Sequence, residues 1–150
     1  MEGTRIRRYE SKDLDAVVEL LFDLNRHNDT PHTVEQDGVA RVVEEMVGRP
    51  DIYRILIAEA GGEAAGLLSL VFYRTLFHNG GTALINELVV REDLRGKGVG
   101  RRLVYAAVEE ARSTGMDELE VATERENAVA QEFYRRSGFT GEYVLFGMDL

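Results

Sequence analysis

Cysteine is absent from this 150-residue chain, which excludes disulfides, thiolate metal sites and cysteine nucleophiles. Histidine is scarce: His27, His32 and His78 fall at neither HxxxH nor HExxH spacing, so no metal centre is expected. Proline occurs twice, as Pro31 and Pro50, and no Pro/Gly/Ser linker, repeat or low-complexity tract divides the chain. Residues 1–150 therefore read as a single domain. No apolar run approaches membrane-spanning length, and Met1 to Ile6 lacks the apolar stretch of a signal peptide. A reduced cytoplasm and no membrane partner are the expectation. Positive charge is in short supply: 18 basic against 27 acidic side chains give a net charge of −9 and a pI near 4.9. Such a surface argues against nucleic acid and suits a cationic small partner. The chain does have 44% apolar and 30% charged residues, enough to bury a core and stay in solution.

Periodicity orders the elements. Thr4 to Tyr9 reads as a short strand. Ser11 can cap a helix over about 12–26, in which Leu14, Val17, Val18, Leu21 and Leu24 recur at helical spacing. Asn28-Asp29-Thr30-Pro31 breaks it, and a second helix runs from about Val34 to Val47. Ile52 to Glu59 and Ala64 to Tyr73 form a hairpin across Gly61-Gly62, and Thr82 to Arg91 supplies the next strand. A long helix with Val99, Leu103, Val104, Ala107, Val108 and Ala111 on one face ends at Gly115. Leu119 to Thr123 is a strand, Ala128 to Ser137 a short helix and Tyr143 to Leu150 a final strand. The order β-α-α-β-β-β-α-β-α-β is that of an α/β (α+β) domain, a mixed, mostly antiparallel sheet flanked by helices.

The stretch Glu87 to Arg102 carries the chemistry. A strand runs straight into Arg95-Gly96-Lys97-Gly98-Val99-Gly100, where a helix begins. Glycines at alternate positions clear the backbone N–H groups to converge on an anion, and the helix N-terminus adds partial positive charge. Over 91–102, Arg91, Arg95, Lys97, Arg101 and Arg102 outnumber Glu92 and Asp93 in an otherwise acidic chain. Pyrophosphate is the ligand such a turn suits. The spacing is neither GxxxxGK[ST], since Gly98 follows Lys97, nor GxGxxG, since the glycines fall one residue short.

Arg95-x-x-Gly98-x-Gly100, between a strand and a helix, resembles the [RQ]xxGx[GA] acetyl-CoA signature of the GCN5-related N-acetyltransferases, the GNAT superfamily. Val121-Ala122-Thr123, Asn127-Ala128 and the segment from Phe133-Tyr134 to Gly138-Phe139 resemble the strand, Asn and FYxxxGF that follow in that family. The resemblance spans nearly the whole chain, with its sharp motifs in 85–139. It implies acetyl-CoA as cosubstrate and an amine as acceptor. By the same resemblance, main-chain groups of Leu88, Val89 and Val90 hold the pantetheine arm. Backbone N–H groups of Arg95, Gly96, Lys97, Gly98, Val99, Gly100 and Arg101 take the pyrophosphate. Asn127 contacts the arm or caps the following helix. Tyr134 is the general acid for the departing thiolate, its phenol (pKa about 10) suited to an alkyl thiol.

Glu87 is the candidate general base, directly or through a water. It lies among Leu84, Ile85, Leu88, Val89 and Val90, and strand alternation puts Ile85, Glu87 and Val89 on one face with Asn86 on the other. The competing reading pairs Glu87 with Arg74 or Arg91 at the rim, and that of Tyr134 is an aromatic packed on the sheet beside Phe133. The acceptor is expected among Asp23, Asn25, His27, Asp29, His32, Arg74, Phe77, His78, Tyr143 and Phe146, with the aspartates facing a cationic amine. Two other readings stay open: a protein N-terminal or lysine acetyltransferase, and a CoA-sensing module that has lost chemistry. The final strand is one that a second copy could pair with, giving a homodimer.

Overall fold

The computed structural model describes residues 3–27 and 33–150. Asn28 to His32, and with them the expected helix break and the acceptor candidates Asp29 and His32, lie outside the described residues. The strands are β1 (Thr4–Arg8), β2 (Tyr53–Ala60), β3 (Glu63–Tyr73), β4 (Thr82–Val90) and β5 (Glu118–Val121). The helices are α1 (Leu14–Arg26), α2 (Gln36–Val47), α3 (Val99–Ser113) and α4 (Ala128–Arg136). The sheet runs in chain order β1-β2-β3-β4-β5, antiparallel except for the β4–β5 pair. Parallel pairing requires a crossover, and α3 supplies it.

The two faces of the sheet bury different helices. Leu68, Leu70 and Ile85 pack on the α3 face with Val99, Leu103, Ala107 and Ala111. Ile55, Ile57, Leu67 and Val89 pack on the opposite face with Val17 and Leu20 of α1 and Val43 of α2. These are the apolar stripes read from the helical spacing, each laid against alternate residues of β-branched strands. Below α1, a buried ion cluster fixes the chain's entry into the helix. The Arg7 guanidinium grips Asp13 at 2.7 and 2.9 Å and Glu59 at 2.6 Å. The Asp13 carboxylate also accepts the Glu10 N–H at 2.8 Å. Asp13, and not Ser11, is thus the side chain that satisfies the start of this helical segment.

Two expectations fail. The register of β3 against β4 passes from Leu70↔Ile85 to Ser69↔Glu87, so Asn86 is bulged out. An extra residue reverses the alternation. Ile85 therefore joins the α3 face while Glu87 and Val89 turn to the α1/α2 face, and the three do not share a side. The final strand, 143–150, does not form: no strand is assigned after β5. Tyr143, Val144, Leu145, Phe146, Met148 and Leu150 are all exposed, Phe146 at 88%. Their sequence suits a strand, but a strand exists only against a partner edge, and this segment has none.

Candidate active site

Parallel pairing of β4 with β5 ends at Ile85↔Val121, where β5 itself ends. From Asn86 onward, β4 continues without a neighbour on that side, and the strands part. The bulge and the parting coincide, and together they open a cleft in the sheet. A cavity of about 1240 Å³ occupies it, walled by α1, α2, β3, β4, the loop after β5 and α4. Glu87, Leu88, Asn127 and Tyr134 all line it, so the two catalytic candidates and part of the cofactor set share one space. Asn86 lines it too, because the bulge and not simple alternation sets its direction.

Glu87 is half-buried, and Ser69 of β3 is its partner. The Ser69 hydroxyl donates to the Glu87 carboxylate and accepts the Glu87 N–H at 3.2 Å. Neither rim arginine reaches it: Arg74 donates to the Gly80 carbonyl at 3.3 Å, and Arg91 pairs with Asp93 at 2.6 Å. Tyr134 sits edge-to-face between Phe133 (5.3 Å) and Phe139 (5.6 Å). Its hydroxyl has no protein partner among the described residues, and burial pushes the phenol above its ordinary pKa. A proton is therefore retained on this oxygen at neutral pH. Asn127 caps α4, its Oδ1 accepting the Ala130 N–H at 3.0 Å, while also lining the cavity.

The glycine turn stands beside this cavity in the chain but outside its wall. The N–H groups of residues 96–101 have no backbone acceptor among the described residues, which is the unsatisfied donor set an anion needs. Arg95 departs from expectation. Its N–H already donates to the Glu92 carbonyl at 3.2 Å, so the converging donors begin at Gly96. Its side chain ties the turn down instead, donating to the Val90 carbonyl at 2.9 Å and pairing with Asp23. The Arg91 N–H donates to the Ala65 carbonyl at 2.8 Å, so in this antiparallel ladder the main-chain groups of Val89 turn to Leu67 of β3 while those of Leu88 and Val90 turn to the open side. Gly98 adopts φ +84°, a left-handed cap to α3 that favours glycine. A Cβ at Gly100 would stand 3.4 Å from the Phe133 ring, so this glycine also lies where α4 comes close to α3. Val99 is buried, so only its N–H is available. Lys97 and Arg101 carry no ion-pair partner among the described residues and remain the cations free to meet a diphosphate.

The acceptor side is revised most. Of the expected residues that are described, only Asn25 and His27 line the cavity. Asp23 is committed to Arg26 at 2.8 Å and to Arg95, and the hydrogen bond from Arg26 holds its carboxyl below the usual range. His78 lies against Asp117 and Glu118 at 3.0 and 3.3 Å, far along the sheet with the exposed Phe77. Tyr143 and Phe146 are in the exposed tail. In their place come Glu35 and Arg41 around α2, and Glu124 and Glu126 after β5. Nothing local in the sequence marks these, because polar residues in loops and on a helix look alike until the fold selects some. Ser69 did leave a signal: it is the one small polar side chain within the run AAGLLSLVFY.

Residues 14–139 match the acetyltransferase (GNAT) family. The chain is 30% identical to the aminoalkylphosphonate N-acetyltransferase of Salmonella typhimurium over 147 residues, covering 97% of this chain and 91% of that protein. The glucosamine-6-phosphate N-acetyltransferase of Arabidopsis thaliana shares its fold, with a TM-score of 0.81, 24% identity and 99% of both chains covered. So does AAC(6')-Iy, solved with the bisubstrate analog CoA-S-monomethyl-acetylneamine, with a TM-score of 0.81, 23% identity and 99% of both chains covered.

Proposed function

From the premise that this chain belongs to the GNAT family and is an N-acetyltransferase, we propose that it moves the acetyl group of acetyl-CoA onto a primary amine of a small cationic molecule. The observation that carries the reading is the meeting of Glu87 and Tyr134 in one cavity where β4 and β5 part. Carboxylates of Glu35, Glu87, Glu124 and Glu126 line that cavity against the guanidinium of Arg41, a balance that draws in an ammonium ion. Its size and its enclosure by α1, α2 and α4 suit a small acceptor better than a docked protein.

The donor would be held by this chain's own backbone. Donors at 96–101 fit its diphosphate, and the open side of β4 at Leu88 and Val90 fits an arm laid down as an added strand. Acetyl-CoA supplies an activated carbonyl. A main-chain N–H of the parted β4 polarises it as charge develops on oxygen. Glu87, directly or through a water, takes the proton the amine must lose for its nitrogen to attack. The new C–N bond forms, the C–S bond breaks, and Tyr134 delivers its proton to the leaving sulfur.

An acetyl-CoA consumption screen tests this against polyamines, aminoglycosides, amino acids, aminoalkylphosphonates and peptides. Turnover with polycationic amines is the expected result. Acceptance of anionic amines alone would overturn the charge argument, and acetyl-CoA binding without turnover on any amine would favour the sensing module.

A further inference from the structure

We propose that Ser69 is a positioning residue for the transfer, holding the Glu87 carboxylate in one orientation, aimed at the acceptor. This rests on the reading of Glu87 as base. Ser69 is a polar side chain 4% exposed in a strand whose neighbours Leu67, Leu68 and Leu70 are buried apolar residues. An unneeded hydroxyl at that depth costs stability, so its partner is informative. Both of its hydrogen bonds go to one residue. The oxygen accepts the Glu87 main-chain N–H at 3.2 Å, and the O–H is donated to Glu87 Oε2.

The backbone explains why this contact exists only here. Ser69↔Glu87 is the first pair after the bulge at Asn86, the point at which β4 side chains switch faces. A long carboxylate side chain beside a bulge has several rotamers available, and only a fixed one presents the same oxygen to a substrate. Ser69 removes that freedom by clamping main chain and carboxylate together. Oε2 is engaged, and Oε1, which has no partner among the described residues, is left to receive the proton. A purely structural serine would not single out one oxygen.

The experiment compares Ser69→Ala, Ser69→Thr, Glu87→Gln and the Ser69→Ala/Glu87→Gln double variant, using the acceptor found in the screen. Thermal melts confirm folding of each. Loss of one hydrogen bond to a charged group predicts that Ser69→Ala lowers kcat about tenfold with KM for acetyl-CoA unchanged. Ser69→Thr, which keeps the hydroxyl, restores kcat. In the Glu87→Gln background the serine change has no further effect. If Glu87→Gln removes the acidic limb of the kcat/KM profile while Ser69→Ala leaves kcat unmoved, or Ser69→Thr behaves as Ser69→Ala does, the positioning role is overturned and the base stands. If Glu87→Gln keeps the limb, the base itself is lost and the proposal with it.

Discussion

Removing one oxygen from Tyr134 separates catalysis from everything else this residue does. Phe in its place keeps the edge-to-face contacts with Phe133 and Phe139 at 5.3 and 5.6 Å, so α4 and the FYxxxGF turn stay packed. The hydroxyl has no protein partner to lose among the described residues, so the melting temperature and the acetyl-CoA Kd should hardly change; a hydrogen bond from the phenol to bound sulfur would add at most about 1 kcal/mol to binding. The rate is another matter. A positioned general acid contributes about 10²–10⁴-fold, equivalent to about 3–5 kcal/mol of barrier. We expect kcat of Tyr134→Phe to fall within that range while KM holds. Release of CoA thiol gives a clean assay, because the protein contains no cysteine to react with the reagent. Burial raises the phenol above its ordinary value of about 10, so the acid remains protonated and the wild-type profile should show no basic limb from it below about pH 9. A Tyr134→Phe enzyme with kcat within about threefold of wild type across this range would refute the assignment.

Gly98→Ala isolates the turn. A Cβ there meets nothing within 4 Å, so the cost is the left-handed φ of +84° alone, about 1–2 kcal/mol. Relaxing that strain misaligns the N–H groups, and calorimetry should show the acetyl-CoA Kd weakened about tenfold. Gly100→Leu acts differently: its side chain extends towards Phe133 and α4, so kcat should fall along with affinity, whereas a loss of affinity alone would confine Gly100 to the anion turn. Asp13→Asn tests the buried cluster. It leaves Arg7 short of a counter-charge and should lower stability by about 3 kcal/mol in urea melts at neutral pH. The hydrogen bond from Arg7 holds the Asp13 carboxyl below its ordinary pKa of 3.8. Its stabilisation is therefore full above that value and is lost as pH falls through the lower folded one, so wild type and variant should converge only below about pH 4. A difference that stayed constant down to about pH 2 would exclude this linkage.

Much of the architecture was legible because it rests on local rules. Periods of two and of 3.6 put five of the six expected strands and the four helices within a few residues of their observed bounds, and the glycine turn was visible as spacing and charge. Tyr134 was legible as the candidate general acid only through resemblance, since a tyrosine on a short helix has no local mark of reactivity. Glu87 was legible as a carboxylate among apolar neighbours, but the face it takes was not. Alternation is a property of a regular strand, and the bulge at Asn86 arises from pairing with β3, a partner about 17 residues away in the chain.

The sequence by itself determined which segments coil, where the backbone donors lie bare, and which side chains are candidates to bring a proton or take one. Tertiary structure alone decided what these residues meet. It engaged Arg95 and Asp23 with one another, brought Ser69 to Glu87, put Glu35, Glu124 and Glu126 on the cavity wall and left the final apolar segment without a strand partner among the described residues. Helix and turn formation is settled between neighbours a few positions apart, whereas each of these outcomes depends on the register and crossing of elements far apart in the chain, set by how the whole core packs.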